Sequence, residues 1–107
     1  MSPHIPEPDW KRFKDVRAKL LERYCAQVIE EIATASRGQG TAHERYLKIY
    51  KIIEERDETM AKVFDDFRRS TAVFQLGLLR RIKLLTDEEL GQFSEPTRAQ
   101  IEGIASI

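Results

Sequence analysis

The feature that most constrains this chain is a long stretch without proline, residues 41–85, in which apolar residues recur at alternating steps of four and three. This spacing places them on one face of a helix and is typical of a coiled-coil seam. Polar residues interrupt the ladder at Asp57, Thr71 and Arg81. The pattern predicts one helix of about 44 residues, about 66 Å long. The apolar members of the ladder are Tyr46, Tyr50, Ile53, Met60, Phe64, Phe67, Phe74, Leu78 and Leu85.

A second apolar stripe precedes this stretch and predicts a first helix over about residues 9–36. Its members recur at steps of three, four and one, with charged residues between them. Asp9 is a favoured N-cap residue, and three prolines in residues 1–8 favour a short extended arm. Gly38 and Gly40 suit a helix C-cap and a tight turn, so we expect the two long helices to form an antiparallel hairpin.

Capping boxes mark the starts of further helices. Thr41 and Glu44 have the spacing at which the two side chains satisfy each other's free backbone amides, and Thr86 and Glu89 repeat it. Ser94, with a proline two residues later, is typical of a last helix start. These signals predict an all-α fold with short C-terminal helices. The predicted helices are residues 9–36, 42–85, 87–91 and 95–105, in a single domain formed by residues 9–107.

The two long helices differ in predicted length, and the excess of the second one is strongly apolar. Antiparallel pairing aligns the first helix with about residues 42–69, so that residues 70–85 project beyond it. The projecting segment has no acidic residue and carries apolar side chains around nearly its whole circumference. Such a helix has to be covered on all sides. The residues predicted to make the covering contact are Phe64, Phe67, Val73, Phe74, Leu76, Leu78, Leu79 and Ile82.

A second copy of the chain is the expected cover. The prediction is a homodimer in which the projecting segments pack together as a helical bundle with a two-fold axis. A second protein in place of the second copy satisfies the same requirement. The alternative is a compact monomer, in which the second helix bends near Ser70–Thr71 or Gly77 and folds back over the hairpin.

Composition and charge argue against several classes of protein. Eighteen basic residues balance eighteen acidic ones, so net charge draws the chain to neither nucleic acid nor an anionic membrane. The longest uncharged stretch, residues 70–79, has about half the length that a membrane-spanning helix needs. Cys25 is the single cysteine, which rules out an intramolecular disulfide and predicts a reducing cytoplasm.

Nucleic-acid binding is an alternative because residues 67–85 carry five cations and no carboxylate, and further cations crowd residues 11–19. A structural role explains several of them. Arg80, Arg81 and Lys83 fall in the last turns of the predicted second helix, where cations stabilise the exposed carbonyl dipoles, and acidic residues follow at once. We therefore do not expect a nucleic-acid partner.

A carboxylate metal site is the sharpest enzymatic hypothesis. Glu55 and Glu58 form a pair three residues apart that resembles the glutamate pairs of the all-α nucleotide pyrophosphohydrolases, and this resemblance implies a metal-dependent hydrolase. Antiparallel pairing, however, leaves Glu30 and Glu31 about one turn short of Glu54, and the interleaved cations favour ordinary pairs at i,i+4. The histidines and the cysteine lack partners at ligand spacing. We expect no catalytic, cofactor or metal site, and a function exerted through protein contact.

Overall fold

The computed structural model describes residues 5–107, and every regular element in this part of the chain is a helix. The predicted all-α fold is thereby confirmed. Two long helices come first, two irregular turns follow, and three shorter helices complete the chain. The elements are α1 Glu7–Ser36, α2 Ala42–Met60, a π-helical turn Ala61–Asp65, a 3-10 turn Arg69–Thr71, α3 Ala72–Arg81, α4 Asp87–Gly91 and α5 Glu95–Ala105.

Helix α1 begins at Glu7, earlier than the sequence predicts. Pro6 is its N-cap and Pro8 lies in its first turn, where the fixed backbone angle of proline suits the helix and no amide partner is needed. The predicted extended arm of residues 1–8 is therefore too long, because its last two residues are helical. Residues 1–4 of that arm lie outside the described part of the chain.

Asp9 is the predicted N-cap of α1, and this assignment is wrong. The residue lies inside the first turn, and its side chain is buried. Its carboxylate accepts hydrogen bonds from the backbone N–H of Ser94 at 2.9 Å and from the hydroxyl of Thr97 at 2.6 Å. Asp9 thus caps the start of α5 from a distant part of the sequence.

The hydrophobic core lies at one end of an elongated molecule with extents of 52 × 26 × 23 Å. Helix α1 supplies four buried side chains of its predicted stripe to this core: Phe13, Val16, Leu20 and Tyr24. The one buried residue of α2, Ile52, lies outside the cluster, and only Met60 at the end of α2 packs against it. We call residues 25–60 the distal segment, because they extend beyond the core and pack mainly on each other.

The predicted continuous helix over residues 42–85 is wrong, since the chain leaves the helical path between α2 and α3. Asp66 has backbone angles outside the helical region, and Arg68 is extended. The Thr71 hydroxyl accepts from the Arg68 N–H at 3.2 Å and donates to the Asp66 carbonyl. The threonine side chain competes in this way with helical hydrogen bonds. The break includes Ser70–Thr71, one of the two bends that the sequence suggests.

Contacts from α1 satisfy backbone groups that the break exposes. Arg17 donates to the carbonyl oxygen of Phe64 at 2.6 Å, and its guanidinium lies 4.3 Å from the centre of the Phe67 ring. Phe67 also packs against Trp10 and Phe13, at ring-centre distances of 5.1 and 5.2 Å. A carbonyl without a helical partner costs stability unless another donor reaches it. The tertiary contacts of α1 therefore stabilise the interruption.

The break lets α3 fold back into its own chain. Val73, Leu76 and Leu79 belong to the hydrophobic core, together with side chains of α1 and of the C-terminal segments. The expectation that residues 70–85 project uncovered is corrected, because the chain supplies most of the cover itself. This folding back at a bend is the feature that distinguishes the compact monomer, which the sequence analysis gives as the alternative arrangement.

Gly77 is a point of close approach and not a bend. It lies within α3, and a Cβ at this position would overlap the Cβ and Cγ2 atoms of Ile104 in α5. The absence of a side chain lets the two helices pack closely there. This contact is part of the cover that α5 provides for the apolar surface of α3.

Candidate interaction surface

The fold divides the predicted contact residues into three groups. Four of the eight are buried within their own chain, two are half-buried, and two are exposed. The buried ones hold the core together and are not available to a partner in this fold. Only the exposed pair is accessible for the contact that the sequence predicts. The groups are Phe64, Val73, Leu76 and Leu79 (buried), Phe67 and Leu78 (half-buried), and Phe74 and Ile82 (exposed).

Exposed apolar side chains concentrate instead on the distal segment. Ile29 of α1 is 65% exposed, and Tyr46 and Tyr50 of α2 are 60% and 59% exposed. Leu47 and Ile53 are exposed beside them. Steps of four and three residues place Tyr46, Tyr50 and Ile53 in one stripe along α2. We call these five residues the distal face.

The sequence places Tyr46, Tyr50 and Ile53 on one coiled-coil-like ladder, and this ladder is not the part of α2 that packs on α1. The residues of α2 that face α1 include Ile49, which is half-buried, and Ile52, which is buried. Each of them precedes a residue of the apolar ladder by one position in the sequence, so the face that packs on α1 is turned by about 100° from the ladder. The apolar ladder of α2 therefore lies to one side of its contact with α1.

Arginines in the seam account for the rotation. Arg45 donates to the Ser36 carbonyl at 2.7 Å, and Arg56 forms a two-pronged ion pair with Glu31 at 2.9 Å. The Tyr24 hydroxyl donates to the Arg56 carbonyl at 2.9 Å. Residues 45 and 56 must face α1 to make these contacts, and this orientation turns the tyrosines outward.

A shallow apolar groove adjoins the distal face, between α1 and α2 on the side nearer the core. Its lining is mostly apolar, although Arg56 and Asp57 reach its edge. Ile29 and Ile53 line the groove and also belong to the distal face, so the two adjoin. The apolar residues of the groove are Cys25, Val28, Ile29, Ile53 and Met60.

Charged side chains of both signs lie along α2, among them Lys48, Lys51, Glu54, Glu55 and Glu58. All five are exposed. Within residues 5–107, none of them belongs to an ion pair. These side chains are therefore free to pair with charges on another molecule.

Two of the cations that suggest nucleic-acid binding form ion pairs within the chain and also tie distant segments together. Arg69 pairs with Glu7 and also donates to the Ile5 carbonyl at 3.1 Å. Arg80 pairs with Asp87 and with Glu102. These contacts tie the break, α4 and α5 to the rest of the fold. A structural role therefore explains Arg69 and Arg80 without a basic surface for nucleic acid.

The carboxylates of the metal hypothesis are not brought together. The two-pronged bond from Arg56 occupies Glu31 and lowers the pKa of its carboxyl group. Glu30, Glu54 and Glu58 are exposed. Within residues 5–107, no three histidine, cysteine or carboxylate side chains are grouped so that they could hold a metal ion.

None of the helices described for residues 5–107 has both the length and the apolar character required to cross a bilayer. Comparison of the chain with protein-family models, with curated proteins and with solved structures returned no match.

Proposed function

We propose that this chain is a non-enzymatic helical protein that acts by self-association, forming a dimeric helical bundle through its distal face. The observation that carries the proposal is that five large apolar side chains are exposed on the distal face and that two of them, Ile29 and Ile53, also line the adjoining apolar groove. Isolated exposed apolar residues are ordinary on protein surfaces, but a contiguous patch marks a contact site. The single cysteine agrees with a reducing cytoplasm, which is the compartment that we propose.

The packing of the distal segment supports this proposal. Two helices lying side by side bury only the strip along which they meet, and α2 buries one residue there. Covering a large apolar side chain contributes roughly 1.5 to 3 kcal/mol when it is complete. A second pair of helices laid on the open side would cover both tyrosines, as in a four-helix bundle. A second copy of the chain supplies such a pair without any other component.

Sedimentation velocity tests the proposal. We expect a species of twice the 12.5 kDa chain mass to accumulate as protein concentration rises over roughly a hundred-fold micromolar range. Tyr46→Glu should shift the equilibrium toward monomer, because a carboxylate would be forced into an apolar contact. Phe74→Glu is the matched control, since Phe74 is similarly exposed at 57% but lies on α3.

The outcomes separate the candidate surfaces. Loss of the dimer in the Tyr46→Glu variant alone supports the distal face. Loss in the Phe74→Glu variant alone would return the contact to α3 and contradict the distal face. A monomer at every concentration would contradict self-association itself, and the apolar surface would then require a different protein.

A further inference from the structure

We infer that residues 72–107 are exchangeable between two copies of the chain: the break between α2 and α3 straightens, and α3, α4 and α5 of each copy enter the core of the other. We call the product the exchanged dimer. This exchange goes beyond the proposed function, because it uses the core and the break and leaves the distal face unchanged. The partner is a second copy of the same chain, which carries an identical core.

The three C-terminal helices hold together as one unit. Arg80 of α3 forms ion pairs with Asp87 at the start of α4 and with Glu102 of α5. Gly77 of α3 lies in close contact with Ile104 of α5. These contacts join α3 to both later helices. The unit is therefore able to move without losing the packing between its own members.

Contacts from α1 fix this unit in the core, and α1 of another copy can supply the same contacts. Arg23 donates to the Leu84 carbonyl at 2.7 Å and forms a two-pronged ion pair with Glu89 at 2.9 Å. Asp9 accepts from the backbone N–H of Ser94. None of these bonds depends on which chain contributes α1. Exchange therefore conserves them.

The break is the part of the chain whose structure changes on exchange. Its local bonds are few and exposed: Arg68 pairs with Asp66 at 2.8 Å, and its N–H donates to the Thr71 hydroxyl at 3.2 Å. Residues 41–76 contain neither proline nor glycine, so their sequence permits a continuous helix. Straightening replaces the local bonds with helical backbone bonds. The break can therefore serve as a hinge.

The apolar ladder crosses the break without a change of spacing. In the bent chain Phe74 is 57% exposed, whereas in a straight helix it would continue the stripe of the preceding ladder residues. This spacing suits a straight helix as well as the bent chain. The ladder positions across the break, at steps of four and three, are Met60, Phe64, Phe67, Thr71 and Phe74.

Two arginines favour the bent, closed chain over the straight one. Arg17 donates to the Phe64 carbonyl at 2.6 Å, and Arg69 donates to the Ile5 carbonyl at 3.1 Å. Docking within one chain also has a high effective concentration. The closed monomer is therefore expected at low protein concentration, and the exchanged dimer should accumulate as the concentration rises.

Charge reversal at positions 23 and 89 tests the exchange. A closed copy with Arg23→Glu sets two glutamates against each other, and a closed copy with Glu89→Arg sets two arginines against each other. In an exchanged heterodimer of the two variants, one core contains the native pair and the other contains the reversed pair. Both cores then hold opposite charges, so exchange alone restores the ion pair.

The two variants are unfolded together in urea and refolded at high concentration, because exchange requires the core to open. Both also carry Tyr46→Glu, which removes association through the distal face. Native mass spectrometry, with one variant isotope-labelled, should show the heterodimer exceeding each homodimer by about ten-fold. Heterodimer at no more than the random ratio would overturn the inference.

A hinge variant tests the exchange without altering the core charges. Thr71→Ala removes the hydroxyl that holds the break and favours a helix. Each exchanged dimer contains two hinges, so its association constant after refolding in the Tyr46→Glu background should rise about ten-fold. Thr34→Ala, at an exposed threonine of α1, is the matched control and should change it little. Equal dimerisation of the two variants would overturn the hinge.

The exchanged dimer is distinguishable from a dimer formed through the distal face. It should form in the Tyr46→Glu background and persist after dilution, since its release requires the core to open. No dimer after refolding in that background would overturn the exchange and leave the proposed function standing. A monomeric mass of the unchanged chain that has not been refolded would contradict the proposed function, and heterodimer in excess would still support the exchange.

Discussion

Ser94 donates two hydrogen bonds to the carboxylate of Asp9, one from its backbone N–H at 2.9 Å and one from its hydroxyl at 2.5 Å. The residues are 85 positions apart in the chain, so the contact joins the first turn of α1 to the start of α5. Asp9 is 2% exposed. A carboxylate at a helix N-terminus satisfies free amide donors and interacts favourably with the helix dipole. Asp9 therefore both joins α1 to α5 and caps the start of α5.

Replacing Asp9 with alanine should destabilise the fold by about 2 to 3 kcal/mol, because the buried Thr97 hydroxyl and two donors of Ser94 would lose a charged acceptor. Urea denaturation followed by circular dichroism measures the change. Asp15→Ala is the matched control, since Asp15 is an exposed residue of the same helix, and its effect should stay within about 0.5 kcal/mol. Equal losses in the two variants would contradict the capping role.

Acid should destabilise the fold through two carboxylates. Burial raises the pKa of Asp9, but hydrogen bonds from Ser94 and Thr97 outweigh it and lower the pKa from its ordinary 3.8. The ion pair with Arg23 lowers the pKa of Glu89 from 4.5. Such groups stabilise the fold above their unfolded pKa, and the contribution is lost as pH falls through the lower folded values.

The urea midpoint should therefore decrease as the pH is lowered from about 5 to about 3. A variant with Asp9→Asn and Glu89→Gln should start from a lower midpoint and show a shallower decrease, because neither position can take up a proton. Parallel curves for the variant and the unchanged chain would show that other groups cause the acid sensitivity.

Two glycines in helices should respond to alanine with opposite signs. Gly77→Ala should destabilise by about 1 to 3 kcal/mol, since the added methyl group overlaps Ile104 and the helices must move apart. Gly103→Ala should stabilise by about 0.5 to 1 kcal/mol, because a Cβ there meets nothing within 4 Å and alanine favours a helix. Thermal melting of both variants checks the contrast. Stabilisation by Gly77→Ala would show that α3 and α5 are not closely packed.

Lys83 occupies a position where glycine is favoured. Its φ of 63° lies in the left-handed region, and it closes α3 with bonds from Lys83 N–H to the Arg80 carbonyl and from Leu84 N–H to the Leu79 carbonyl. This is the Schellman arrangement, whose left-handed residue is usually glycine. Lys83→Gly should stabilise by roughly 0.5 to 1 kcal/mol, since relief of the strain exceeds the entropy cost of glycine.

The matched control is Lys19→Gly, at an exposed lysine inside α1, which should destabilise by about 1 kcal/mol. Chemical denaturation of the two variants provides the comparison. The same direction of change in both would mean that the backbone at position 83 is not strained.

Features that depend on neighbouring residues could be predicted from the sequence. Both capping boxes form, with Thr41 accepting from the Glu44 N–H and Thr86 from the Glu89 N–H, each at 3.1 Å. The apolar stripe of α1 is buried where its spacing indicates. The partners in these features lie three or four positions apart, and helix geometry alone brings them together.

The sequence offers the interruption between α2 and α3 only as an alternative to a continuous helix, because no proline forces it and its stabilising contact comes from Arg17, 47 residues from Phe64. The rotation of α2 depends in the same way on Arg45 and Arg56 reaching acceptors on α1. An apolar ladder specifies that one face of a helix prefers burial, but it does not specify what will cover that face.

The sequence by itself therefore determined that this protein is helical, where several helices are capped, and which side of α1 enters the core. Only the tertiary structure decided that α3 folds into its own chain and that Tyr46 and Tyr50 point outward. The physical reason is one of range. Helix capping and periodicity act over a few residues, whereas the choice of the buried face depends on long-range side-chain to backbone bonds whose partners are chosen only when the helices pack.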